Sequence, residues 1–218
     1  MKIIKKYLVF TSVLYRIVMF GILPAGLVVL YVIAMLFMGE DMKYTLILMP
    51  FPVILAEIVA DTWMFGGIQA KDAAKIDFLK TSPRGMGLLR NALAMDLVRR
   101  LVFLSAVMAA CALGNIALGV ELFGGDAVKG LGVILSLILS AYSVSVLCTV
   151  FTRFGTMFWQ NIVAAYVGMI LESFCVGFLV TLDYPFAWAL LYAVLAAGAS
   201  FLSVKIVMAK IRGGYYDQ

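Results

Sequence analysis

DFLKTSPRGMGLLRN, residues Asp77 to Asn91, is the polar stretch of a chain that is otherwise almost continuously apolar. It holds the basic residues Lys80, Arg84 and Arg90, a Thr81-Ser82-Pro83 break, and the glycines Gly85 and Gly87. The 218 residues around and including it are 65% hydrophobic and 13% charged. A soluble domain is about half apolar and about a quarter charged. The composition therefore points to a membrane protein, and no polar stretch is long enough to make a soluble domain. The length fits one membrane domain of several short-looped helices.

A helix needs about 20 apolar residues to cross the hydrocarbon core. Six candidates meet this: Ile17 to Met38, Tyr44 to Phe65, Leu97 to Val120, Val128 to Val150, Thr156 to Thr181, and Tyr184 to Val207. Charge placement tests the count, because Lys and Arg concentrate in loops that stay in the cytoplasm. With six spans, one side receives Lys2, Lys5, Lys6 and Arg16, the loop from Lys71 to Arg100, Arg153, and the tail with Lys205, Lys210 and Arg212. Only Lys43 and Lys129 fall on the other side, with Glu40, Asp41, Glu121, Asp126 and Asp183. The expectation is an all-α protein in the plasma membrane, with six transmembrane helices and both termini cytoplasmic. The net charge of +5 then reports topology rather than a nucleic-acid partner.

Residues 1–16 read differently. Ile3, Ile4, Tyr7, Leu8 and Thr11 share one helical face, and Lys2, Lys5, Lys6 and Ser12 lie away from it. That pattern predicts an interfacial amphipathic helix on the inner leaflet, with its lysines among anionic headgroups; a plain basic anchor is the alternative. No small-residue cleavage site follows, so it is not read as a cleaved leader. The domain organisation expected is thus 1–16 interfacial helix, 17–207 six-span domain, and 208–218 cytoplasmic tail. Pro50 and Pro52 should kink or irregularly end the second span, and Pro24 should bend the first. Cys111, Cys148 and Cys175 sit in apolar segments without metal-type spacing and read as small core hydrophobes, with no disulfide expected. The chain has no histidine, which excludes His-ligated metals and His bases or relays.

The loop between spans two and three, 66–96, is the long one. A polar helix from about Gln69 to Leu79 can follow Gly66-Gly67. Ser82 can then cap a new helix with Pro83 at its first position. Met86, Leu89 and Leu93 form one stripe of that helix, and Arg84, Gly87 and Asn91 another. Gly85 and Gly87 suit a place where another surface approaches the backbone. On the residues alone, this is either a docking element in need of a partner or a solvated loop whose lysines set topology.

At this point the chain resembles the permease subunits of the type-2 ABC exporters. FLKTSPRGMGLLRNALAMDLVRR, Phe78 to Arg100, is similar to that family's loop pattern of apolar-Leu-x-x-Ser/Leu-Pro-x-Arg/Gly followed by a helix running into span three. The resemblance implies a cytoplasmic coupling helix between spans two and three that inserts into a cleft of a separate ABC ATPase subunit. Leu79, Ser82, Pro83, Arg84, Met86, Leu88, Leu89 and Arg90 would form that contact. It also implies a second permease copy, as a homo- or heterodimer. The family's external re-entrant hairpin between spans five and six would be short here, since Leu171 to Tyr184 leaves little room. No cofactor is expected in this chain. ATP and Mg would bind the partner, because no GxxxxGK[ST] phosphate loop occurs in the sequence.

Charges inside spans are costly and are the next candidates. Glu57 and Asp61 lie one turn apart on one face of span two. They read either as a gate or cation-recognising patch on a translocation path, or as partners of Arg99, Arg100 or Lys71; pairing is preferred. Glu172 in span five could belong to the path, or form a polar cluster with Ser173 and Asn161. Trp63, Trp159 and Trp188 sit near predicted span ends and read as interfacial anchors, with path lining by these and by Tyr166 and Tyr192 as the alternative. Ala196 to Ser200 in span six and Gly168 in span five would let helices approach closely. No nucleophile and base accompany the carboxylates, so the chain is not read as an enzyme.

The function expected from the resemblance is a permease subunit of an ATP-driven exporter, moving an amphipathic or hydrophobic substrate out of the cytoplasm or inner leaflet. A peptide, a drug or a lipid-like compound would qualify. Two alternatives come from other classes. One is the substrate-binding membrane subunit of a vitamin uptake system. The other is a non-transporting membrane immunity or assembly factor.

Overall fold

A computed structural model of the chain describes residues 11–38, 42–69, 81–117, 126–153, 158–181 and 184–212. Among the described residues every regular element is helical. Six helices are long and apolar enough to cross a membrane: Val13–Phe37, Thr45–Met64, Gly85–Ala117, Ala127–Thr152, Trp159–Leu179 and Pro185–Ala209. They mark a multi-pass membrane protein, and the start of the first span packs with the end of the sixth at one side of the bundle. That side is called the terminal side below.

The fourth span is the axle of the bundle. It packs against the sixth, fifth, second and third spans. In its apolar window 78% of the residues are buried, against 11% in the first span. The first, fifth and sixth spans form the periphery, where Phe20, Val29, Phe174, Leu190 and Phe201 face outward. In a bilayer such residues lose nothing by exposure, so close packing rather than water exclusion holds the helices together. Small residues make it possible. A Cβ added at Gly168 would stand 2.9 Å from Cys148 Sγ, so spans four and five touch there almost backbone to side chain. Ala196 and Ala199 are buried in span six, while Ala197 and Gly198 face out. All three cysteines are free thiols.

The prolines leave the expected marks. In span two a helix Met42–Leu48 breaks at Met49 and restarts as Pro50–Gln69. Pro50 takes the first helical position, where its missing N–H costs nothing. In span one the chain forms a π turn, Val18–Ile22, just before Leu23–Met38. Pro24 cannot donate to the Phe20 carbonyl four residues back, and a local widening of the helix accommodates the lost bond.

Two boundaries differ from those read in the sequence. Residues 1–10 of the expected interfacial helix lie outside the described residues. Ser12 caps the helix that follows, accepting from the Tyr15 N–H at 3.0 Å, so Val13 onward belongs to the first span. The third span begins twelve residues early. Gly85–Ala117 is one helix of 33 residues. At 1.5 Å per residue it is about 50 Å long, against about 30 Å of hydrocarbon. The segment read as a short coupling helix is therefore continuous with span three. Nothing interrupts it, because Met86 to Met95 are good helix formers apart from Gly87 and Asn91.

Candidate functional site

Six charged side chains meet in the interior where the second, third and fourth spans approach the terminal side. Glu57 and Asp61 are four residues apart and share a face of span two. Asp96, Arg99 and Arg100 lie at i, i+3 and i+4 on span three, so the one carboxylate lies beside both guanidinium groups. Arg153 is the residue that ends the fourth helix, its backbone N–H donating to the Thr149 carbonyl at 2.8 Å. Arg99 is 7% exposed and the other five are 0 or 1% exposed.

The bonds form a connected layer. Arg99 binds Glu57 in a fork, Nη1 to Oε1 at 3.0 Å and Nη2 to Oε2 at 2.5 Å. Its Nε donates to Asp96 Oδ1 at 3.1 Å. Arg100 donates Nε to Asp96 Oδ2 at 3.0 Å, Nη1 to Thr149 Oγ1 at 3.0 Å, and Nη2 to Asp61 Oδ1. Arg153 donates Nε to Asp61 Oδ1 at 2.7 Å and Nη2 to Asp96 Oδ2. Three carboxylates thus face three guanidinium groups, and the layer is neutral as a whole. Neutrality makes it tolerable, since an isolated charge at membrane depth costs at least about 2.5–3.5 kcal/mol. Directed forks make it specific, because arginine's planar donors match carboxylates in pairs. The consequence is mechanical. Asp61 receives Arg100 and Arg153, and Asp96 receives Arg99, Arg100 and Arg153, so spans two, three and four are tied together at one level.

Glu57 and Asp61 therefore have Arg99 and Arg100 as partners, together with Arg153; Lys71 lies outside the described residues. Asp96, which the sequence reading left at the end of the loop, is the centre of the layer. Arg153, counted there only as a topology charge, is its third cation. The Asp-x-x-Arg-Arg spacing of Asp96, Arg99 and Arg100 carries a signal for the first, since i+3 and i+4 neighbours pair on a helix. Nothing local identifies Arg153, which reaches Asp61 across 92 residues of sequence.

Glu172 stands apart from the layer. It is fully buried, and Ser140 of span four donates Oγ to its Oε1 at 2.8 Å. The expected cluster with Ser173 and Asn161 does not form. The Ser173 hydroxyl turns back to the Met169 carbonyl at 2.8 Å, and Asn161 Oδ1 accepts from Thr62 at 3.3 Å. The reason is helical geometry: i+1 lies about 100° around the axis, and Asn161 is about three turns away.

The start of span three has two faces. Gly85, Leu89, Ala92 and Leu93 are buried. Leu89 and Leu93 join Tyr15 and Met19 of span one and Val207, Met208 and Ile211 of span six in a small core. Pro83, Arg84, Gly87 and Arg90 are exposed, and Ser82, Met86 and Leu88 are half-buried. The regular helix starts at Gly85, after a turn in which its N–H meets the Ser82 carbonyl at 3.0 Å, two residues beyond the expected start at Pro83. Leu79 lies outside the described residues. Of the expected docking surface, Leu89 thus points into the protein, at 2% exposure.

The aromatics divide. Trp159 is 70% exposed near the terminal end of span five, and Tyr166 is also exposed. Trp188 stacks on Phe178 with ring centroids 5.7 Å apart and leans on Tyr192, so it packs spans five and six together. Trp63 meets Tyr15 edge-on at 5.9 Å. Beside Trp159 an apolar groove of about 500 Å³, lined by Leu147, Phe151, Val163, Val167 and Leu171, runs between spans four and five. Comparisons with protein-family models, curated proteins and solved structures return no match to this chain.

Proposed function

We propose that this chain is the permease subunit of an ATP-driven exporter of the type-2 ABC class, set in the plasma membrane with both termini cytoplasmic. A separate ATPase subunit, which binds ATP and Mg, powers it, and a second permease copy completes the pore. The observation that carries the reading is the third helix. It outruns the hydrocarbon by about 20 Å. Its protruding part shows a basic face, Arg84 and Arg90 around Gly87, on the outside of the bundle. A push on that face is transmitted by packing to spans one and six through Leu89 and Leu93. It is transmitted by ion pairs to spans two and four through Asp96, Arg99 and Arg100. A lever of this kind is what a permease without its own nucleotide site requires. The apolar groove beside span five fits a hydrophobic or amphipathic cargo such as a peptide, a drug or a lipid-like compound.

The test is a pull-down of the tagged full chain from its native membrane, wild type against Arg84→Glu with Arg90→Glu. Both residues are exposed, so the variant keeps its fold. An ATPase subunit that accompanies the wild type and is lost from the variant supports the reading. Recovery of the wild type without any ATPase refutes it.

A further inference from the structure

Glu172 is a carboxyl that the ion layer does not use. It lies just past the middle of the helix Phe158–Thr181, opposite Ser140 at the middle of Ala127–Thr152. Its exposure is 0%. An ionised carboxylate offers about four lone-pair sites to donors. Here Oε1 receives one donor, Ser140 Oγ, and Oε2 receives none. Among the described residues no basic group forms an ion pair with it. The groups packed around it are neutral: Ser140 on span four, Cys175 on its own span, and Tyr192 on span six, whose hydroxyl donates to the Cys175 carbonyl at 2.9 Å. The ionisable residues of span two, Glu57 and Asp61, are held in the layer by Arg99, Arg100 and Arg153. A bare carboxylate at this depth would lack both a counter-charge and solvent, whereas a neutral acid lacks only one hydrogen-bond partner.

We propose that Glu172 is a proton-binding site in the middle of the bundle: its carboxyl is the neutral acid while spans four and five are packed, and it exchanges that proton with water only when span five parts from Ser140. One turn before Glu172, Gly168 of span five packs tightly against Cys148 of span four. The ligand is a proton, the acceptor on release is water, and no other reactant is needed. Proton occupancy is thereby tied to the packing of spans four and five. The inference stands independently of the exporter reading, since it requires no ATPase.

Four glutamates occur in the chain, Glu40, Glu57, Glu121 and Glu172, so glutamate-selective carbon-13 labelling of the full protein in lipid nanodiscs gives four carboxyl signals. One of them should carry the chemical shift of a neutral acid at neutral pH and vanish in Glu172→Gln. Where that variant does not accumulate, Glu40→Gln, Glu121→Gln and Glu57→Gln assign the signal by elimination; its survival in all three supports the site. Four ordinary carboxylate signals, or a neutral-acid signal that survives Glu172→Gln or disappears with one of the other three, overturn it.

Discussion

Removing Glu57 and Arg99 together should harm the protein far less than removing either one. Glu57→Leu leaves three guanidinium groups against two carboxylates, with Arg99 holding only Asp96. Arg99→Met leaves Glu57 with a single cation, Arg100 Nε at 3.7 Å. Stranding one buried charge costs about 3–5 kcal/mol. For a chain of this length each kcal/mol is worth about 2–4 °C in Tm, so each single variant should lose about 6–20 °C. In the double variant Asp61 and Asp96 face Arg100 and Arg153, and the layer is neutral again. An apolar pair in place of a buried ion pair is often no worse than the pair itself. The coupling should therefore recover about 2 kcal/mol or more. The assay is thermal unfolding of the purified protein in nanodiscs, followed by tryptophan fluorescence. Losses that simply add, to within about 0.5 kcal/mol, would refute the claim that charge balance governs this layer.

Other expectations follow from single contacts. Leu89→Asp should lower stability by about 3 kcal/mol or more, because it puts a carboxylate into the Tyr15–Met208 core; Arg84→Glu should change it by less than about 0.5 kcal/mol. The same unfolding assay separates the two. Gly168→Ala should cost about 1–3 kcal/mol by overpacking against Cys148 Sγ, and Cys148→Ala in the same chain should restore most of it. Tyr31→Phe removes the donor that reaches buried Asn115 Oδ1 at 2.6 Å and should cost about 1–3 kcal/mol; a loss below about 0.3 kcal/mol would mean that Asn115 has found another donor.

Much of this architecture is legible in the sequence, and what is not has a definite physical cause. Apolar runs of membrane length locate all six helices, because the bilayer leaves the backbone no other way to satisfy itself. The prolines predict the break at Met49 and mark the irregularity before Leu23. Pairing of Glu57 with Arg99 follows from a costly acid in one span and basic residues at the head of the next. Asp96 escapes because a polar residue beside a loop looks like part of the loop, and only the continuous helix from Gly85 places it inside. Arg153 escapes because a cation at a span end satisfies the topology rule whether it lies in water or in the protein. Leu89 misleads for a related reason. An apolar stripe on a helix looks the same whether a partner or the protein's own first and sixth spans cover it. The partner of Glu172 could not be read from its neighbours in sequence, since Ser140 belongs to another helix.

The ion layer also sets an order on the birth of the protein. Asp96 waits for an arginine 57 residues further along the chain, and Asp61 for the same one 92 residues along. Before Arg153 is made, the nascent hairpin of spans two and three carries one acid too many for its arginines. The first three spans are thus an unfinished unit that cannot settle its own electrostatics. The hairpin acquires its last counter-charge only as the fourth span, the future axle of the bundle, reaches its end. Assembly of the bundle and neutralisation of its interior are therefore completed by the same residue.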